Sequence, residues 1–409
     1  MDNNEITAEG FQKHPSFTRS FVSDNRLSRR SFLKVLAVTG TAVLATGCVP
    51  KKDSAYHMQT PLKDNEDVEN NYLILHDEED VPLSQFEVQW VPDGHIPFVT
   101  FSQDKVTYFI SGNAATFAFL KDKNGNLISR DRDKNGHTIP CYGKDPSEVY
   151  RNGYGTITSI LQLDEVNPDH IFGITHNEQW KASNIYENYT GSIGLVESKD
   201  QGKTWESHGQ IIKATDALLP GEKVTGVGQP CAIIKEENGE KYVYVYYLYL
   251  PSKEGAPYLI HLSRAQITNA KIGEFEHYTK DGFKKGINIT PDTIMPVIQP
   301  PKNMESYTAL PSISYNAGRK RFEAVFETQF GFCASTSTDG IHWLEPELIF
   351  KFPNGQYPHF NGQKWYSNPT FWSPDENSDQ KTNNNGYLIY SKGIWPNPHS
   401  MKRRRFELK

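Results

Sequence analysis

Ser198-Lys-Asp-Gln-Gly-Lys-Thr-Trp205 is the stretch that decides the fold. Its chemistry is local. The Ser198 and Asp200 oxygens are spaced to accept backbone N–H groups within one turn, which makes the turn self-satisfying. Gly202 supplies a left-handed backbone position. Trp205 then leaves the turn with a large ring to pack between neighbouring sheets. A shorter copy, Ser337-Thr-Asp-Gly-Ile-His-Trp343, follows much later in the chain. Asp200 and Asp339 are therefore expected to be structural, with no catalytic part.

Outward from these turns, the body reads as short strands. Phe98–Ser102, Val106–Ser111, Thr116–Leu120, Thr156–Leu163, Tyr258–Ala265, Phe322–Phe326 and Gly386–Tyr390 are alternating or apolar runs bounded by turn residues. The strongest is Tyr242-Val-Tyr-Val-Tyr-Tyr-Leu-Tyr, β-branched or aromatic almost throughout and too short for a helix. A strand-opening step of Pro or a small residue recurs at Pro97-Phe98, Thr158-Ser159, Pro230-Cys231, Pro311-Ser312 and Pro369-Thr370. Five units of about four strands predict an all-β chain, a five-bladed β-propeller over 81–409. The alternative is a pair of two-sheet sandwiches. The terminal Arg403–Leu408 run is expected to complete a blade begun elsewhere in the chain.

The two turns resemble the Asp-box, the S-x-D-x-G-x-T-W hairpin of sialidase-like propellers; the shorter one resembles turns of glycoside hydrolase families 43 and 32. The order of Gly191–Asp200, Gly226–Ile234, Tyr242–Tyr247, Ser263–Ile267 and Ala309–Asn316 resembles exported glycosidase-like propellers, to which arabinan-degrading enzymes are related. The resemblance implies a carbohydrate partner and a pocket at one end of the propeller axis. A typical sialidase is disfavoured, since no Arg-Ile-Pro start occurs.

Candidate residues lie where polar groups end strands. His176-Asn177-Glu178-Gln179-Trp180 closes an apolar run with a carboxylate, hydrogen-bond partners for hydroxyls and an aromatic platform. Glu327 ends a second-strand run in the same manner, while Glu323 is expected to face outward. Glycoside hydrolysis needs two carboxyl groups flanking the scissile bond. Glu178 and Glu327 are the expected pair, with Asp104 a third candidate. His176, Asn177, Trp180, Arg151 and Gln229 are candidate sugar-binding residues. Ser111-Gly112-Asn113 departs from a Gly-Asp pattern of some propeller glycosidases, so a binding protein without turnover stays open beside the hydrolase. Asp131-Arg-Asp-Lys-Asn-Gly136 resembles half a calcium loop, but Tyr142 stands where a bidentate Glu is needed. A polar turn is the better reading, and no metal or cofactor is expected.

The 409 residues carry 43 basic and 49 acidic side chains, a formal net charge of −6, which excludes a strongly basic nucleic-acid binder. With 22 Phe, 21 Tyr and 7 Trp, the chain has ample apolar surface to bury and is not disordered as a whole. Residues 1–48 read as an address. Ser28-Arg29-Arg30-Ser-Phe-Leu-Lys34 resembles a twin-arginine export signal, with Arg29 and Arg30 as its contacts to the export machinery. Ala45-Thr-Gly-Cys48 resembles a lipobox, which implies lipid on Cys48 and membrane attachment by that anchor only. The expected location is periplasmic or at the cell surface. Residues 49–80 read as a polar linker. Cys141, Cys231 and Cys333 are widely spaced and expected to be free thiols.

Overall fold

The aromatic run Tyr242–Tyr249 lacks polar–apolar alternation because both of its faces are covered. In the computed structural model, Tyr244 and Tyr246 pack with Ile313, Phe322 and Phe326 on one side. Val243, Val245, Tyr247 and Tyr249 pack with Ile174, Ile193 and Leu195 on the other. A strand pressed between two sheets must be apolar at every position. The structure describes residues 70–409 apart from 82–90, 103–104, 113–114, 144–152, 165, 181–188, 218–223, 253–256, 287, 305, 354–363 and 395–398. Arg29, Arg30, Cys48, Asp104, Asn113 and Arg151 therefore lie outside the described residues.

The described strands run from β1 (Leu73–Asp80) to β23 (Ser400–Leu408), with no helix among them. They form five antiparallel units, of which the second and third are joined by a two-residue parallel pairing, Thr225↔Thr190 and Gly226↔Gly191. The first is β2 (Phe98–Thr100), β3 (Val106–Gly112), β4 (Ala115–Lys121) and β5 (Leu127–Ser129). The second is β6 (Gly153–Leu161), β7 (Ile171–Trp180), β8 (Tyr189–Ser198) and β9 (Glu206–Ile212). The third is β10 (Thr225–Glu237), β11 (Glu240–Leu250), β12 (Leu259–Thr268) and β13 (Lys271–Thr279), with β14 (Gly282–Lys284) and β15 (Pro296–Ile298) at its margin. The fourth is β16 (Ala309–Asn316), β17 (Arg321–Thr328), β18 (Gly331–Ser337) and β19 (Glu347–Lys351). The fifth is β20 (Lys364–Trp372), β22 (Asn385–Ile394), β23 and, outermost, β1, while the short β21 (Lys381–Thr382) borders β16.

Five apolar cores separate these units, one at each junction, and the last closes the ring. Phe109, Ala118 and Val196 mark the first junction. Ile174 and Tyr247 mark the second, Tyr246 and Phe326 the third, Phe332 and Tyr390 the fourth. Trp372 and Ile389 of the fifth blade then meet Tyr108 and Phe119 of the first. A sandwich pair has no such cyclic order; the all-β chain is a five-bladed propeller, whose radial stacking buries both sheet faces.

Four of the five strand-opening steps turn out to be bulges, while at Pro97-Phe98 β2 pairs with β3 without a slip. The register slips in β6 between Ile157 and Ser159, in β10 between Gly228 and Cys231, in β16 between Ala309 and Ser312, and in β20 between Ser367 and Thr370. In the last three, the residue before Pro is left-handed: Gln229, Leu310 and Asn368 have φ of 50°, 52° and 57°. Pro suits such a site because it has no N–H to leave unpaired. The bulge aims a side chain at the next blade. Ala232 N–H donates to Ser159 Oγ at 2.8 Å, Ile313 N–H to Cys231 Sγ at 3.2 Å, and Phe371 N–H to Ser312 Oγ at 3.3 Å.

Both turns, Ser198–Trp205 and Ser337–Trp343, close on their own side chains as read. Gly202 N–H and Gly340 N–H donate to Ser198 Oγ and Ser337 Oγ at 2.8 and 2.9 Å. Asp200 Oδ1 accepts from Lys203 N–H and Thr204 N–H, and Asp339 Oδ1 from Ile341 N–H and His342 N–H. Each turn staples its blade to the one before. Trp205 stands edge-on to Phe109 and Tyr142 of the first blade, and Trp343 edge-on to Tyr246 of the third. Gly202 and Gly340 have φ of +76° and +70°, and a Cβ on either would come within 2.8 Å of Phe109 or of Tyr246.

Two expectations need correction. The end of the stretch read as a linker, Leu73–Asp80, is a strand paired with β23 from Leu73↔Leu408 to Asp80↔Lys402. Its acidic residues are complements to a basic partner: Glu78 pairs with Lys392, Glu79 with Arg403 and Asp80 with Lys402. Glu323 does not face outward. It is fully buried, bonded by the Tyr72 hydroxyl and paired with Arg319 at 3.2 Å. The cover is the distant segment leading into β1, which a local alternation pattern does not register. Cys141, Cys231 and Cys333 are free thiols.

Candidate active site

Strand alternation divides the polar end of β7 between two faces. His176, Glu178 and Trp180 share one. The Glu178 carboxylate accepts from His176 Nε2 at 3.1 Å and from Trp180 Nε1 at 2.7 Å, and the Tyr189 hydroxyl also bonds it. The Glu178 side chain keeps 16% of its surface exposed. Gln229 N–H donates to His176 Nδ1 at 3.3 Å, which leaves the ring proton on Nε2, aimed at Glu178. Gly228 makes this approach possible, since a Cβ there would sit 2.5 Å from His176. The bulge at Gln229–Pro230 thus orients a histidine of the preceding blade, which orients the carboxylate.

Sequence reasoning missed Asp93. It precedes β2 in Val91-Pro92-Asp93-Gly94. The Pro92 carbonyl accepts from Asn368 Nδ2 at 2.8 Å, Ser391 Oγ at 2.7 Å and His399 Nε2 at 3.2 Å, all from the fifth blade. Asp93 N–H donates to the Ser111 carbonyl at 2.9 Å, near the end of β3. Burial pushes the Tyr189 hydroxyl well above its usual range, and the charges of Glu178 and Asp93 push the same way. One tyrosine thus feels two carboxylates, from the first and second blades. The only local signal was an acid in a Pro-Asp-Gly step just ahead of the first strand.

Glu327 is placed differently. It is fully buried in β17. Tyr307 donates its hydroxyl to Oε1 at 3.1 Å and Ser367 donates to Oε2 at 2.7 Å. Burial pushes its carboxyl up to about 8, against partial relief from Ser367 and the Asn368 N–H. Tyr307 also belongs to an apolar cluster with Tyr189, Tyr258, Leu248, Leu250 and Leu310, against which Trp180 packs. This cluster runs from Glu178, bonded by Tyr189, to Glu327, bonded by Tyr307, so the two carboxyls flank one largely aromatic body.

Asn177 and Gln179 lie on the other face of β7. Asn177 Nδ2 donates to Thr175 Oγ1 at 2.9 Å, and both Asn177 and Gln179 line a cleft between the first two blades. Gln229 is on the His176 side through its backbone, while its Oε1 is buried without a partner among the described residues. In the Asp131–Gly136 turn, Asp133 Oδ1 accepts from Asn135 N–H and His137 N–H, so its oxygen is spent inside the turn.

No family model matches the chain, and no curated protein matches it. Among solved structures, it is similar to the catalytic domain of a GH62 α-L-arabinofuranosidase from Coprinopsis cinerea, at 10% identity over 83% of this chain and 97% of that one, with a TM-score of 0.46. A GH43_1 enzyme from Xanthomonas citri is similar at 10% identity over 81% and 89%, with a TM-score of 0.41. A glycosyl hydrolase from Bacteroides ovatus is similar at 12% identity over 83% and 92%, with a TM-score of 0.40.

Proposed function

We propose that the protein is a glycoside hydrolase, with Glu178 the carboxylate that meets the sugar and Asp93 its partner across the axial end. The observation that supports this reading is the fixing of Glu178: three donors from its own blade hold a partly exposed carboxylate beside an indole and a tyrosine. A neutral sugar ring suits such a place, since its faces stack on aromatic rings and its hydroxyls need polar groups that cannot move away. Asp93 supplies the second carboxyl that glycosidic cleavage requires. A sugar closing over both strips them of water, and two like charges flanking one bond do not both stay ionised. One then takes up the proton needed for general acid catalysis. Glu327, sealed from solvent, holds the β17–β20 junction and touches no substrate.

The test is reducing-end release from a panel of neutral polysaccharides, beside calorimetric binding, for the parent, Glu178→Gln and Asp93→Asn. Turnover by the parent, lost in both variants while binding remains, is expected. Turnover that persists in both variants removes these carboxylates from the mechanism. A second reading, glycan binding without turnover, is favoured by one observation: burial raises the proton affinity of two carboxyls, Glu323 and Glu327, and both are sealed from solvent. Binding without turnover across the panel would select it.

We propose further that Arg29 and Arg30 direct export and that Cys48 carries a lipid anchor. Replacing both arginines by lysine is then expected to retain the protein in the cytoplasm, and Cys48→Ala to release it from membranes. A Cys48→Ala variant still sedimenting with membranes would contradict the anchor.

A further inference from the structure

The other face of β7 opens on a cleft of about 310 Å3 between the first and second blades. Its lining is chemically consistent. Asn177, Gln179 and Gln210 contribute amides, Thr175 and Ser207 hydroxyls, and Tyr142 an aromatic ring. Lys213 is the one charged residue among those that line it. Asn177 is 2% exposed and its Oδ1 has no partner among the described residues, an acceptor left unsatisfied at the floor. A buried polar atom of this kind costs stability unless something pairs with it. Gln179 and Gln210 are exposed at the walls. Gln210 already reaches Ser192 Oγ at 3.1 Å and is held in place by it.

We propose that this cleft is a second binding site, for a neutral hydroxyl-bearing ligand of sugar size, separate from the carboxylates of the axial end. Amides both donate and accept, as sugar hydroxyls do, so they match such a ligand without selecting a charge. The volume is at the small end of those that enclose small molecules, enough for a short terminal portion of a glycan. The strand itself keeps the two sites apart. Residues at odd positions (Thr175, Asn177, Gln179) face the cleft, and those at even positions (His176, Glu178, Trp180) serve the axial end. A chain held here would keep the enzyme on its polymer between events at the axis. This role rests on the hydrolase reading; the binding itself does not.

The experiment uses the full chain with xylotriose and cellotriose as neutral probes and triglucuronate as the charged comparison, read by calorimetry and ligand-observed NMR. The variants are Gln179→Ala with Gln210→Ala, and separately Glu178→Gln. Probe binding that survives Glu178→Gln but weakens by roughly tenfold or more in the double variant is expected, since two wall hydrogen bonds are lost. A circular dichroism melt matching the parent keeps a folding defect from imitating the result. Three outcomes overturn the proposal: no probe binding at millimolar concentration, binding indifferent to the double variant, or tighter binding of triglucuronate than of the neutral probes. Loss of turnover in Glu178→Gln with cleft binding intact leaves the two readings independently judged.

Discussion

The second and fourth blades carry the same devices and reach opposite ends. Each has a Ser-x-Asp turn between its third and fourth strands, each turn sends a tryptophan onto the preceding blade, and each second strand ends near a glutamate. Counted from the bulge, Glu327 stands opposite Ala309 much as His176 stands opposite Thr156. Glu178 lies two residues further on, past the reach of the blade's cover, and stays 16% exposed. Glu327 stops short and is sealed by Tyr307 and Ser367. One step of a strand's repeat thus separates a carboxylate that meets solvent from one buried in the wall. The shared frame sets the fold; the two-residue offset decides which carboxylate stays open to solvent.

The comparison breaks first at Glu327 if its burial is not what raises its proton affinity. With a folded value near 8 against 4.5 for the free group, its contribution to stability is fully present below about pH 4.5 and is lost as pH rises to about 8. The loss is at most roughly 5 kcal/mol. Urea denaturation across that range should show stability falling with pH, and Glu327→Gln should flatten the slope and be the more stable protein at its alkaline end. An unchanged slope in the variant contradicts the sealed carboxyl.

The staples come next. Trp205→Ala and Trp343→Ala are each expected to cost about 3 kcal/mol, because both rings stand between blades. The two losses should match within about 1 kcal/mol, and a large inequality would show that the shared motif does not do the same work in both blades. Smaller effects fall on the turn carboxylates. Burial opposes the shift, yet the bonds from His342, Ile341 and Ser337 hold the Asp339 carboxyl well below its usual range, and those from Thr204, Ser198 and Lys203 lower that of Asp200. Asp200→Ala and Asp339→Ala should each cost about 1–2 kcal/mol at neutral pH. This stability is present above the free carboxylate value and lost as pH falls through the folded one, so both costs should shrink in acid. The smallest effect is Cys231→Ser. The hydroxyl would accept Ile313 N–H as Ser159 accepts Ala232 N–H, and a change under about 1 kcal/mol in the melting analysis is expected.

Much of the frame was legible because its signals are local. The two Ser-x-Asp turns close on themselves, and Tyr242–Tyr249 declares a strand covered on both faces without reference to what covers it. The recurring Pro-or-small steps marked the axial strands, though their physical meaning, a left-handed bulge that hands an acceptor to the next blade, needed coordinates. The site was less legible for the same reason. His176, Glu178 and Trp180 stand together in sequence and in space, so their pattern could be read. Asp93 matters only through Pro92, gripped by Asn368, Ser391 and His399 from the far end of the chain. Along β17, Glu323 reads as outward-facing and Glu327 as a strand-end acid, yet both are buried by partners distant in sequence. Leu73–Asp80 read as tether because its acidic run finds its basic complement only after the last strand returns to it.

The most direct measurement sets the two glutamates side by side: the hydrolysis rate of Glu178→Gln and Glu327→Gln on the polysaccharide the parent cleaves best. A loss on the order of a thousandfold in the first, with the second within about threefold of the parent, is the predicted result. A Glu178→Gln enzyme that turns over normally, or a Glu327→Gln enzyme as inactive as its counterpart and equally well folded, would contradict the assignment of the open carboxylate to chemistry and the sealed one to the wall.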